Sequence, residues 1–122
     1  MREAGIEYKD APLYIPPFEY YNKEISAWAK SMGIHVVNFT PGTGSNADYT
    51  TPQMKNYRSS QTIYENILSL EQREGLNGHL LLFHIGTVEA RTDKFYRSHL
   101  KMLIRELKRR GYKINNLKKH TL

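Results

Sequence analysis

At 122 residues the chain can form one compact domain with a sizeable core, and 39% hydrophobic against 25% charged residues argues against a disordered chain. Without cysteine there is no disulfide framework, and no apolar run approaches the length of a membrane span. The net charge of +6 admits an anionic partner, but much of the excess lies in Arg105, Lys108, Arg109, Arg110, Lys113, Lys118 and Lys119, on and after the last predicted helix. Cations there complement the helix macrodipole, so the cluster reads as a solvated helix end and no nucleic-acid partner is expected.

The first residues, Met1 to Gly5, are followed by no apolar segment and do not read as a signal peptide. Residues 11–15 are short and apolar and end at Pro16-Pro17, a strand entering a rigid turn. Asn22 is a helix cap, with Ile25, Trp28, Ala29 and Met32 at helical spacing, and Gly33 closes that helix. Trp28, on the apolar face, is expected in the core. Residues 34–39 are β-rich and read as a buried strand. Residues 40–52 form a long polar loop whose Gly, Asn, Ser and Pro content opposes regular structure; a loop of this length inside a compact domain is often functional.

Ser59 or Ser60 opens a second helix carrying Ile63, Ile67 and Leu68, stopped by Gly75 and Gly78. Residues 79–84 are an almost wholly apolar run and read as a fully buried strand. After a loop, Thr92 or Asp93 opens a third helix running to Arg110, with Tyr96, Leu100, Leu103, Ile104 and Leu107 on one face. Arg91 and Asp93 are expected to pair with each other and cap that helix. Residues 112–117 are a possible last strand. Alternating strands and helices predict βαβ units and a mostly parallel sheet, an α/β fold in a single domain. A closed (β/α) barrel needs roughly 200 residues or more, so this chain supplies only part of one.

In such sheets, sites form at the C-terminal ends of strands. Three ends are unusual here: Tyr14 to Tyr21, the loop holding Asp48 and Tyr49, and Leu82-Phe83-His84. His84 ends the apolar run, and alternation places it on one face with Leu80 and Leu82. A histidine there can exchange a proton near neutral pH if a partner fixes its tautomer, and Asp48 is a candidate partner. Equally, it could be a core histidine held by backbone carbonyls. Tyr20, Tyr21 and Glu19 sit at the rim of the proline turn. The nine tyrosines suit half-buried surfaces and clefts.

The three strand ends, in this order, resemble the last three motifs of the polysaccharide deacetylases, the carbohydrate esterase family 4 or NodB-homology enzymes. Ile15-Pro16-Pro17-Phe18 resembles the family's Arg-Pro-Pro-aromatic turn. Asp48-Tyr49 resembles its Asp-Trp pair, and Leu82-Phe83-His84 its Leu-x-His. The resemblance runs from about residue 11 to about residue 117 and implies a partial (β/α) barrel of the deacetylase type. It implies a hydrolase removing N-acetyl or O-acetyl groups from a glycan, with zinc or another divalent metal activating water. By that resemblance His84 is the general acid and Asp48 the carboxylate that tunes it. Leu82 then walls the acetyl pocket, Tyr49 packs in place of the Trp, and Pro17, Phe18 and Tyr20 line the glycan cleft.

Two departures accompany the resemblance. Ile15 replaces the motif's Arg, and the family's Thr-Phe-Asp-Asp and His-Ser/Thr-x-x-His motifs are absent. His35, His79, His84, His99 and His120 are too scattered to make a zinc site, so no metal ligand is assigned and the ligands are expected upstream of Met1. The general-acid half alone is then inactive or nearly so. Homo-oligomerisation, or completion by the upstream half, is expected to cover the exposed sheet edges. The family places the full-length protein outside the cell or in the periplasm. The alternative is a noncatalytic carbohydrate-binding or assembly module derived from that family.

Overall fold

The computed structural model describes residues 5–16, 18 and 20–117. The chain divides into two compact units, one comprising Met1–Asn38 with Asn115–Leu122, the other Phe39–Ile114.

In the first unit a short 3-10 turn (Tyr8–Asp10) precedes strand β1 (Leu13–Tyr14), helix α1 (Lys23–Ser31) and strand β2 (His35–Val36). The strands pair in parallel, Leu13 opposite His35 and Tyr14 opposite Val36. His35 N–H donates to Pro12 O at 2.7 Å and Val37 N–H to Tyr14 O at 2.8 Å. A parallel pair requires a crossover, and α1 is that crossover. Asn22 caps it as expected, its side chain accepting from Ile25 N–H at 2.8 Å. Gly33 turns the chain out at φ 71°, a conformation an L side chain rarely adopts. Trp28 departs from expectation: it is 59% exposed, and Ala29 is the buried residue of α1.

In the second unit the polar loop contains a 3-10 helix (Ser45–Tyr49), followed by α2 (Ser60–Glu74), α3 (Phe95–Ser98) and α4 (Leu100–Arg109). Ile63, Ile67 and Leu70 on α2 meet Phe95, Leu103 and Leu107, with Leu76 completing the buried cluster. Spacings of three and four residues put each set on one helix face, so burial of these stripes holds the helices together. Leu81 and Phe83 pack against the cluster, the Phe83 and Phe95 rings stacked at 4.6 Å between centroids. The α2 caps follow the sequence: Ser59 Oγ accepts from Thr62 N–H at 3.1 Å, and Gly75 ends the helix at φ 77°.

Four expected elements differ. Of residues 34–39 only His35–Val36 form a strand, and none of the six is buried. Residues 79–84 form no strand ladder and are half-buried rather than fully buried. Residues 112–117 form no strand either; Tyr112 instead uses its hydroxyl, accepting from Leu76 N–H at 2.9 Å and donating to Glu71 at 3.3 Å. The third helix is broken at His99, which leaves helical geometry at φ −125°. The His99 ring lies within 2.6 Å of Ser98 Oγ through Nδ1 and 3.0 Å of Gln61 Oε1 through Nε2. At the far end, Glu106 pairs with Arg109 and Arg110, which hold its carboxyl down to about 2. Arg110 also reaches Glu71 on α2.

Arg91 and Asp93 do approach each other, at 3.7 Å, but cap nothing on their own helix. Lys94 occupies the N-cap position of α3 without a side-chain capping bond, and the Asp93 carboxylate accepts the first N–H of α2, Ser60, at 2.7 Å. Partial burial raises the Asp93 pKa, but the Ser60 bonds and the charges of Arg91 and His99 outweigh it, leaving the carboxyl below its ordinary 3.8. A depressed folded-state pKa means that this contribution is complete above the unfolded value and lost as pH falls through the folded one. Asp93→Ala should lower stability by roughly 1–2 kcal/mol near neutrality, as loss of a helix cap does. In urea melts the gap to wild type should close as pH falls below the ordinary carboxylate range. A gap that persisted there would show that the charge is not what stabilises.

Candidate functional site

The site is built on the 3-10 helix and the extended segment beside it. Gly44, at φ 73°, starts the helix in a left-handed conformation. Thr50 closes it: its N–H and its hydroxyl both donate to Ala47 O, at 3.0 and 2.6 Å. Asp48, between Ala47 and Thr50, is thereby turned inward and is 1% exposed.

Opposite it runs the segment 79–84. In an extended chain every second N–H points to the same edge. Here those donors meet side-chain oxygens instead of a neighbouring strand. Leu80 N–H donates to Thr40 Oγ1 at 2.9 Å, and Leu80 O accepts from Thr40 N–H at 2.9 Å. Leu82 N–H donates to Ser45 Oγ at 3.2 Å, and His84 N–H to Asp48 Oδ2 at 2.7 Å. The same carboxylate takes the His84 ring: Nδ1 lies 2.6 Å from Asp48 Oδ1. Asp48 thus accepts twice from one residue, through main chain and ring. Charge-assisted bonds of this length offset the desolvation of a buried carboxylate.

A carboxylate on Nδ1 requires that Nδ1 carry the proton, which fixes the tautomer and leaves Nε2 as the exchanging nitrogen. Nε2 has no hydrogen-bond partner among the described residues, and the His84 side chain is 32% exposed. The Tyr49 ring meets the imidazole edge-on, 5.5 Å between centroids at 70°. His84 is therefore held in one orientation with one nitrogen accessible, the arrangement a proton donor or acceptor needs. The core-histidine alternative does not describe it, since its ring partner is a carboxylate.

The structure brings together Asp48, Tyr49 and His84. Alternation directs Leu81 and Phe83 to the apolar core and places Leu82 on the His84 face, half-buried. Phe18 and Tyr20 belong to the other unit, where Phe18 is 96% exposed with φ 54° and Tyr20 is exposed. Tyr21 lines a surface cavity of about 440 Å³ with Lys30 and His35. Pro17 and Glu19 lie outside the described residues. No three His, Asp or Glu side chains converge as a metal site among the described residues. No helix among them is long and apolar enough to cross a membrane.

Sequence reasoning missed Thr40, Ser45 and Thr50, and gave Arg91 too small a part. All but Thr40 are buried: Ser45 and Thr50 fully, Arg91 with 1% exposure. The signal available was the loop's density of Thr and Ser, which matched a solvated loop equally well. No family model, curated protein or solved structure matches the chain.

Removing the Asp48 carboxylate should strand two donors of one residue. Asp48→Ala is expected to cost roughly 2–3 kcal/mol in denaturant unfolding. Asp48→Asn, which keeps one carbonyl oxygen for two N–H groups, should cost less. Equal stabilities of all three proteins would sink the double-acceptor role.

Proposed function

We propose that the chain is the general-acid part of a polysaccharide-deacetylase-type hydrolase acting on N-acetyl or O-acetyl groups of a glycan. The observation that carries this reading is the His84–Asp48 pair, a buried carboxylate 2.6 Å from Nδ1 with Nε2 turned free. When an acetamide is hydrolysed, the C–N bond breaks as water's oxygen joins the acyl carbon, and the leaving nitrogen must take a proton. His84 Nε2–H supplies that proton, and Asp48 stabilises the imidazolium before the transfer and fixes the ring throughout. Tyr49, edge-on to the imidazole, and Leu82 are proposed to take the acetyl group, and Pro17, Phe18 and Tyr20 are proposed to bind glycan. The parallel β1–α1–β2 unit supports the partial (β/α) barrel that goes with this reading.

A divalent metal of the kind the resemblance implies does not fit the described residues, which offer no converging ligand set. What these residues supply is proton transfer and ring orientation. The metal and the base are proposed to come from a preceding segment, or the half domain to be covered by a second copy. That same lack of ligands, with Ile15 in the place of the motif's Arg, favours a second reading: a noncatalytic glycan-binding or assembly module.

Acetate release from N-acetylglucosamine oligomers by the protein of the whole reading frame, supplied with zinc, separates the two. Under the first reading His84→Ala lowers kcat by about 10²- to 10⁴-fold, the contribution of a general acid, while bound zinc is unchanged. Wild-type turnover in that variant overturns the assignment. No turnover in either protein, with oligomer binding weakened by Tyr20→Ala, establishes the second reading.

A further inference from the structure

Arg91 is a fully charged side chain with 1% exposure, and the proton chemistry of His84 makes no direct use of it. A guanidinium carries five N–H donors in a planar fork, and burying it is unfavourable unless those donors are met. Here four of the five are met by four acceptors, and Nη2 also lies 3.7 Å from the Asp93 carboxylate. Nε donates to Asp93 O at 2.5 Å. Nη1 donates to Thr50 O at 2.8 Å and to Arg58 O at 2.6 Å. Nη2 donates to Ser60 Oγ at 3.2 Å, and the cation lies 5.5 Å from the centre of the Tyr57 ring.

Two of these acceptors, Thr50 O and Arg58 O, are the two ends of one loop. The loop is closed a second time by Arg58 N–H donating to Thr50 Oγ1 at 3.1 Å. Thr50 is also the residue whose N–H and hydroxyl terminate the 3-10 helix at Ala47 O, with Asp48 held between. Arg91 therefore grips the peptide two residues beyond Asp48 and ties it to the start of α2 and to the loop that follows His84. Lysine could carry the charge but not the fork, because an ammonium cannot present planar donors to acceptors on three sides.

We propose that Arg91 is a positioning residue for the His84–Asp48 pair: through Thr50 it sets the 3-10 helix so that one carboxylate meets both N–H groups of His84. This rests on the pair being the functional centre, but its consequence is readable without any turnover. With Asp48 in place, His84 holds its proton on Nδ1; a free imidazole prefers Nε2. Loosening Asp48 should therefore change the tautomer and expose the Nδ1 proton to exchange.

The measurement is ¹⁵N NMR of the His84 ring in the full chain. Wild type should show the Nδ1–H tautomer, with a protected ring proton. Arg91→Lys should shift the ring toward Nε2–H and speed exchange of the ring proton by about ten-fold or more. Ile67→Val, which trims the apolar core without touching the polar one, should lower the melting temperature but keep the wild-type ring signature. A folded Arg91→Lys protein with that signature overturns the proposal. Should Arg91→Lys fail to fold, Arg91→Gln decides: its amide keeps two planar N–H donors but cannot meet Thr50 O, Arg58 O and Asp93 O together. A changed tautomer upholds the positioning role and an unchanged one overturns it. Failure of the acetate-release assay, with these ring signatures as expected, would remove the deacetylase reading and leave the positioning role standing.

Discussion

Backbone N–H groups cannot be left unpaired inside a protein, and that constraint shapes the second unit. Leu80, Leu82 and His84 point three donors along one edge of an extended segment that has no strand ladder. Thr40, Ser45 and Asp48 supply the missing acceptors from a single loop. Once that loop must present side-chain oxygens at alternate residues of its neighbour, its polar groups are buried, its course is fixed, and its one acid lies beside His84. The candidate site is thus a by-product of how the segment is satisfied: the bond that pairs the main chain of His84 also delivers the carboxylate to its ring.

A second consequence is a polar core beside the apolar one. Thr43, Ser45, Asp48, Thr50, Thr51, Ser60 and Arg91 are all buried, and no buried side-chain N or O among the described residues lacks a partner. The two cores share α2. Its apolar face, Ile63, Ile67 and Leu70, meets Phe95, Leu103 and Leu107, while its first residue, Ser60, is held by Asp93 and Arg91. A half-satisfied polar network is worse than none, so a buried Arg fork is tolerable only because all four of its acceptors are in place. Mutations there are expected to act through geometry before they act through charge.

What the sequence disclosed was what local chemistry decides. Asn22 and Ser59 cap helices, and Gly33 and Gly75 end them, because caps and positive φ are settled within a few residues. The alternation of 79–84 sorted Leu81 and Phe83 from Leu82 and His84 correctly, since period two holds whether or not a ladder forms. The absence of that ladder was not legible, because an apolar run states that a segment is extended, not what will pair with it. The polar loop was misleading in the same way. Hydrogen bonds from side chain to backbone across 8 to 40 residues leave no periodic mark, so Thr40, Ser45 and Thr50 looked like solvated turn residues. Asp48 was singled out as a candidate partner for His84 and then again by resemblance, not by periodicity. Trp28 shows the limit of face arguments: α1 spans nine residues and buries Ala29, while its largest apolar side chain stays exposed.

The geometry of the pair also bears on what kind of chemistry it suits. A carboxylate on Nδ1 fixes the tautomer and leaves Nε2 as the nitrogen that faces outward. Attaching that carboxylate to the main chain of the same residue removes a freedom that most such pairs retain, because ring and carboxylate cannot drift apart without breaking a backbone bond. The arrangement gives a donor whose Nε2 direction is set by the fold, with Tyr49 across its edge. A directed, singly accessible nitrogen is of little use to a packing residue. It suits a reaction in which a leaving group departs along one line, which is what the proposed proton donation to a departing nitrogen requires.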